Sequence, residues 1–297
     1  MDKGARTVGY IGLGQMGSAM ARRLLDTGAD VVVFDLDPEP VASAVALGAR
    51  AADTPAAVAE AVEMVSICVP TAHHVTAVLN GPQGIAEAAR AEQTIFVHST
   101  IAPADVLAAH ATARTWGAWL HDACVAGGAE AAVAGELVVL SGGLSHLSEA
   151  ARALLATYGS LVVDAGGVGA GAALKLAVNV MTYAQFAAAA TAFDITRQAG
   201  ADTGALVDTW RHTGQLGRLT ESFLPLLDIP AHHITGDFRQ SLLNTTSIAT
   251  KDLELAMDAL GGNGINLDGV VAALVAAMPT VFGVGQSVDE SGRETSE

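Results

Sequence analysis

One hexapeptide constrains this chain more than any other feature. Gly12-Leu13-Gly14-Gln15-Met16-Gly17 follows the apolar run Val8-Gly9-Tyr10-Ile11 and opens the helical pattern Ser18–Leu25. A strand that turns on glycine into a helix leaves little choice of local geometry. The first glycine permits the tight turn, the second lets a ligand approach the backbone, and the third lets helix and strand pack closely. The helix N-terminus then offers amides and a partial positive charge, which suits a pyrophosphate. The motif alone is weakly specific. Asp35 reinforces it, at the end of the next apolar run, Val31-Val32-Val33-Phe34. A carboxylate there can accept from both ribose hydroxyls of a dinucleotide and repels a 2′-phosphate. Leu36 and Asp37 supply no arginine to hold such a phosphate. Gly12, Leu13, Gly14, Gln15, Met16, Gly17 and Asp35 are therefore expected to bind NAD, with NADP disfavoured. The alternative is a structural glycine turn, with an aspartate that caps the helix beginning at Pro38.

The rest of the first half repeats the pattern of that unit. Short apolar runs stand at Thr7–Gly12, Asp30–Asp35, Met64–Val69, Thr94–His98, Leu120–Val125, Leu137–Ser141 and Leu161–Asp164. Helical patterns lie between most of them, at Met16–Gly28, Pro38–Gly48, Ala72–Asn80 and Pro103–Trp116. Continuous Val/Ile runs, rather than strict alternation, indicate strands buried on both faces, and strand–helix–strand order indicates a parallel sheet. A glycine-rich break at Gly166–Gly171 follows, and the strand signal ends. Helical patterns then run from Ala172 to Gly200 and over Thr203–Thr213, Arg218–Leu227, Arg239–Leu260 and Leu267–Phe282, with Pro225 and Pro230 punctuating a loop. The expected fold is an α/β Rossmann-type parallel-sheet domain followed by an all-α domain. The dinucleotide-binding domain is assigned to residues 1–166 and a helical substrate and dimerisation domain to 167–288. Residues 289–297 form an acidic tail, expected to be disordered.

Bulk properties narrow the function. The 297 residues are 51% hydrophobic and 15% charged, a core-forming composition. The formal net charge of −16 disfavours nucleic acid as a partner. Any anionic ligand must be held by backbone amides, helix N-termini or a single lysine. Cys68 and Cys124 make no disulfide framework, and no leader pattern precedes the first strand, so a cytoplasmic location is expected. The most apolar stretch, Leu176–Phe193, contains Asn179, Thr182, Tyr183 and Gln185, and is read as a buried helix of a soluble protein rather than a membrane span. Aromatics supply only 4%, so alanine-rich helices carry much of the packing and a homo-oligomer, dimer or tetramer, is expected.

Lys175 and Asn179 share one helical face, four residues apart. Two readings of Lys175 stand on the residues alone. It is a solvated lysine at a helix end, or a partly desolvated lysine able to exchange a proton near neutral pH.

Four motifs in order carry a resemblance. They are Gly12-Leu13-Gly14-Gln15-Met16-Gly17, Ser99-Thr100-Ile101-Ala102-Pro103, Asp122-Ala123-Cys124-Val125-Ala126-Gly127-Gly128, and Gly169-Ala170-Gly171 followed by Lys175 and Asn179. A Lys251-Asp252-Leu253 element adds to them. From Val8 to about Phe282 the chain resembles the β-hydroxyacid dehydrogenase family, whose best-known type is 3-hydroxyisobutyrate dehydrogenase. The resemblance implies hydride transfer between NAD(H) and a small β-hydroxy acid or semialdehyde. Lys175 would be the acid/base and Asn179 would orient the substrate. Val69, Pro70, Thr100 and Lys251 would lie at the cofactor. Ser99, Ala126, Gly127, Gly128 and Phe238 would lie at a carboxylate substrate. The chain departs from the family at Cys124, Ala126 and Val97, where proline, serine and an acidic residue are usual. These departures touch substrate identity more than chemistry.

Two other readings stay open. One is an imine reductase using NADPH, whose fold is similar but which usually replaces the lysine. The other is a non-catalytic NAD-binding regulator. 6-Phosphogluconate dehydrogenase is a third relative, which needs positive groups for a sugar phosphate that this chain barely offers. No metal site is expected, because none of the nine histidines stands at ligand spacing on a helix. His98 and His121, at strand ends, are read as satisfied core histidines or as pocket residues, and Cys124 as a small apolar filler or a reactive thiol.

Overall fold

A computed structural model of the chain describes residues 7–260 and 268–284. The acidic tail 289–297 and Leu267 lie outside the described residues. Two compact units are present, Met1–Lys175 and Leu176–Glu297. The division falls inside a long helix, whereas the glycine-rich break Gly166–Gly171 that marks it in the sequence runs into the start of that helix.

The first unit alternates strands and helices. They run β1 (Thr7–Ile11), α1 (Gln15–Asp26), β2 (Asp30–Phe34), α2 (Pro38–Ala46), β3 (Arg50–Ala51), α3 (Pro55–Ala61), β4 (Met64–Ile67) and α4 (Ala72–Asn80). Then follow β5 (Thr94–Val97), α5 (Pro103–Thr115), β6 (Trp119–Ala126), α6 (Gly128–Ala134), β7 (Leu137–Gly142), α7 (Glu149–Tyr158) and β8 (Gly159–Gly166). The eight strands form one sheet in the order β3-β2-β1-β4-β5-β6-β7-β8. The chain thus starts in the middle, winds to one edge, returns past β1 and winds to the other. That reversal opens a crevice at the carboxyl ends of β1 and β4, where ligands of such sheets bind.

The parallel sheet expected from the sequence is right for all pairs but one. β6 and β7 run antiparallel, with Cys124 opposite Leu140. The cause is connection length. Only the short α6 and its flanking turns lie between them, and a parallel crossover needs a dozen or more residues. The core is aliphatic, as the runs imply: Val8, Val31, Val33, Leu137, Val139 and Leu155 are buried together with Tyr10, Phe96 and Tyr158.

The second unit is helical. The helix α8 (Ala170–Gln198) enters it, followed by α9 (Thr203–Thr213), α10 (Arg218–Leu227), α11 (Gly236–Leu260) and α12 (Asp268–Val281). Pro225 lies inside α10 rather than in a loop. It stands two residues before the helix ends at Leu227, where the bond it denies the Glu221 carbonyl helps to stop the helix. Phe186, Phe223 and Phe282 form the aromatic centre of this unit, with Phe186 stacked on Phe223 at 4.2 Å. The mostly buried α8 expected from its composition is only half realised. Leu176, Phe186, Ala189 and Phe193 are buried, but Leu174, Met181 and Ile195 are exposed. By length and composition α8 is also the one helix among the described residues that could cross a membrane.

Candidate active site

The glycine turn is built as a tight cradle. Gly12 has φ +92°, and a side chain there would run into the carbonyl oxygen of Cys68. A side chain on Gly17 would run into the carbonyl of Gly12. Those two glycines are needed because β1, β4 and α1 approach so closely. Gly14 differs: open space lies where its side chain would be, and it precedes α1 with no side chain capping the helix. A helix end left uncapped and uncovered is the arrangement an anionic pyrophosphate fits. Gln15 is exposed at the first position of α1, and Met16 is half-buried.

Asp35 closes the cradle. Its Oδ2 accepts from the N–H of Leu13 at 2.5 Å, and its Oδ1 accepts from the N–H of Asp37 at 2.9 Å. The aspartate therefore holds the glycine turn, and its half-buried carboxylate still has lone pairs able to accept further hydrogen bonds. The alternative of Asp35 as the cap of the next helix does not hold, because Asp37 caps α2 through the N–H of Glu39.

The carboxyl ends of β4 and β5 are tied together. The N–H of Val69 donates to Ser99 Oγ at 2.9 Å. Ser99 is buried, Thr100 half-buried and Pro70 exposed. The first duty of Ser99 is thus to lock two strand ends. After β6 comes Ala126-Gly127-Gly128, with φ +133° at Gly127 and +83° at Gly128. Both glycines are exposed, and no atom stands where a Gly128 side chain would be. Such a turn can offer its amides to an anion.

Helix α8 carries Lys175, half-buried, and Asn179, which is 6% exposed and four residues on. Asn179 Nδ2 donates to Asp252 Oδ2 at 2.6 Å. Lys251 Nζ lies 2.7 Å from Asp252 Oδ1. Burial and the neighbouring Asp252 charge both push the Tyr183 hydroxyl well above the usual phenol range. Asp252 therefore gathers Asn179, Lys251 and Tyr183 around one carboxylate inside the helical unit. Phe238 is not gathered with them. It stands exposed in the first turn of α11, about 20 Å along the helix from Lys251 at 1.5 Å per residue.

Residues 7–167 match the family described as the NAD binding domain of 6-phosphogluconate dehydrogenase. An uncharacterized oxidoreductase of Mycobacterium tuberculosis is 36% identical over 86% of this chain and 85% of its own length. The 2-(hydroxymethyl)glutarate dehydrogenase of Eubacterium barkeri is 30% identical over 99% of this chain and 93% of its own. Among solved structures, the Mycobacterium tuberculosis 3-hydroxyisobutyrate dehydrogenase with L-serine superposes with a TM-score of 0.74 at 28% identity, covering 93% of this chain and 94% of that one. The chain belongs to the β-hydroxyacid dehydrogenase family. It is an NAD(P)-binding oxidoreductase of the type that acts on hydroxy acids.

Within a β-hydroxyacid dehydrogenase, two buried acids emerge that the sequence did not single out as functional. Asp122, in β6, is fully buried. Asp252 is 2% exposed. A signal existed for the first: an acid inside the run Leu120–Val125, apolar but for it and His121, must have partners, because an unpaired buried charge is prohibitively costly. His98 resolves as a core residue. Its Nδ1–H donates to the Ala123 carbonyl at 2.7 Å, and its Nε2 faces Ser66 Oγ at 3.0 Å. Burial pulls its pKa down to about 4, so it is neutral. His121 is also pulled down by burial and accompanies His110 and His146. Cys124 is fully buried, with Sγ 3.6 Å from the Ser99 carbonyl, which fits a packed thiol. Among the described residues, no group of three or more His, Cys, Asp or Glu side chains is placed to hold a metal ion.

Proposed function

We propose that this β-hydroxyacid dehydrogenase oxidises a small β-hydroxy acid with NAD, or reduces the matching semialdehyde with NADH. The observation that carries this reading is the Lys175–Asn179 face of α8 in a chain with an intact nucleotide cradle. Neutral Lys175 takes the substrate hydroxyl proton at Nζ. NAD, when bound, accepts the hydride from the carbinol carbon. In the reverse direction the Lys175 ammonium returns a proton to the forming alkoxide. Asn179 gives one N–H to Asp252, so its second N–H is left to donate to the substrate hydroxyl oxygen. The amides of Gly127 and Gly128 hold the carboxylate. Val69, Pro70, Thr100 and Lys251 serve the cofactor, and Asp35 favours NAD over NADP by repelling a 2′-phosphate.

The same reading makes the protein a cytoplasmic homo-oligomer. The exposed apolar side chains of α8 support helix-to-helix association, and no disulfide joins Cys68 to Cys124. The function is tested by screening small β-hydroxy acids with NAD and comparing Lys175→Ala with the parent. The expected result is a loss of about 10³-fold in kcat with NADH binding kept, as for removal of a general base. Near-normal turnover by Lys175→Ala would refute the assignment.

A further inference from the structure

We propose that Asp122 is a positioning residue for this reaction, fixing the N-terminus of α8 and with it the place of Lys175. The inference rests on the reading of Lys175 as the acid/base. Asp122 is fully buried in β6 and uses both oxygens. Oδ1 accepts from the N–H of Gly169 and Oδ2 from the N–H of Ala172, each at 2.8 Å. Gly169 stands immediately before α8 and Ala172 lies in its first turn. Lys175 follows Ala172 by three residues, less than one turn.

The surroundings are shaped for that carboxylate. A side chain on Gly142 would collide with Asp122 Oδ1, and one on Gly171 would come within 2.8 Å of Oδ2. A side chain on Gly143 would come within 2.9 Å of His121 Nδ1, on the neighbouring residue. Small residues from β7 and α8 thus clear room for one acid.

The arrangement does more than cap a helix. Helices α2, α3, α4, α7 and α9 are capped by Asp37, Thr54, Thr71, Ser148 and Asp202, each residing next to its own helix and binding one amide. The acid at α8 comes from a sheet strand 47 residues away from Gly169 and grips two amides. Four residues further along that strand begins the Ala126-Gly127-Gly128 turn. One strand therefore sets both the turn that offers amides to a carboxylate and the helix that carries the base.

Asp122→Asn tests this. The amide offers one acceptor for two N–H donors and no charge. With the hydroxy acid that the parent oxidises, kcat is expected to fall about 100-fold, as for a misplaced catalytic group, while KM stays within about 3-fold. NADH binding, read by transfer from tryptophan, is expected to stay within about 2-fold, since the cradle lies at β1 and α1. Hydrogen exchange over residues 167–176 is expected to quicken about 10-fold with residues 7–28 unchanged, the loss of one buried bond. Should Asp122→Asn fail to bind NADH, Asp122→Ser, which keeps an acceptor in less volume, takes its place in the comparison. Faster exchange with unchanged kcat would make Asp122 a mere staple and overturn the proposal. Turnover by Lys175→Ala would instead overturn the reading beneath it.

Discussion

Asp35→Asn is the sharpest test of cofactor choice, because it removes a charge while leaving the turn standing. The Leu13 N–H donates to Asp35 at 2.5 Å from a residue only 2% exposed, so that bond must survive. Asparagine keeps it by pointing Oδ1 at Leu13. The bond given up is the one from Asp37, which is exposed and costs little. What changes is electrostatics at the ribose. A 2′-phosphate carries a charge of about −1.5 to −2, and a carboxylate about 5 Å away in an effective dielectric of about 40 repels each unit by about 1.7 kcal/mol. Salt screening at this half-buried position brings the total to about 2 kcal/mol. Ribose hydroxyls lose about 1 kcal/mol when a carboxylate acceptor becomes an amide. The preference for NADH over NADPH should therefore shrink by about 3 kcal/mol, roughly 100-fold in the ratio of Kd values. Titrating both nucleotides against the emission of Trp116, Trp119 and Trp210 reads it directly. A ratio changed by less than about 3-fold would refute the placement of the ribose at Asp35.

Two further outcomes follow from buried and exposed groups. His98 has its folded-state pKa lowered to about 4 by burial, against about 6.5 unfolded, so the unfolded chain binds the extra proton between those values. Stability from this group is complete above about pH 6.5 and is lost as pH falls toward 4, by about 3 kcal/mol. Urea midpoints across that window should show the slope and His98→Asn should flatten it; an equal slope in the variant refutes the account. Light scattering should find a dimer or tetramer at micromolar concentration, and a monomer would show that the exposed Leu174, Met181 and Ile195 of α8 have no partner.

The sheet was legible because its strands are short, apolar and punctuated. β1, β2, β4 and β5 lie within the Val/Ile runs that announce them. Two-residue β3 and the short helices α3 and α6 carry too little pattern to be seen, whereas α7 has a Ser148 cap and an Ala151, Leu154, Leu155, Tyr158 stripe that could have announced it. The antiparallel β6–β7 pair was hidden because direction depends on connection length, and α6 could not be distinguished from a full crossover. The cradle was legible because each glycine answers a steric demand within a few residues. Asp252 and Asp122 were not, because their partners lie up to 73 residues away. Local spacing reports helix faces and turns; it says nothing of which distant amide a buried acid will meet. The choice at Asp35 illustrates the same limit. Its position after β2 suggested a ribose contact, but its bond to Leu13 emerges only in the fold.

An acidic chain with an NAD(P)-binding domain, for which we propose a carboxylate substrate, poses an electrostatic problem, and the fold answers it by local neutralisation. A net charge of −16 would slow the approach of both ligands if their sites faced open carboxylates. At the three acids that matter, both oxygens are already engaged. Asp35 accepts two backbone amides, Asp122 accepts two more, and Asp252 meets Asn179 and Lys251. The cradle and the Ala126-Gly127-Gly128 turn, by contrast, present glycine with no side chain over it at Gly14 and Gly128. Negative charge is thus tied down where it organises the backbone, and amide dipoles are left open where anions must sit. Salt screens the diffuse repulsion over about 8 Å but leaves the short amide contacts intact. Ligand affinity should then depend on these few backbone turns far more than on the total charge of the chain.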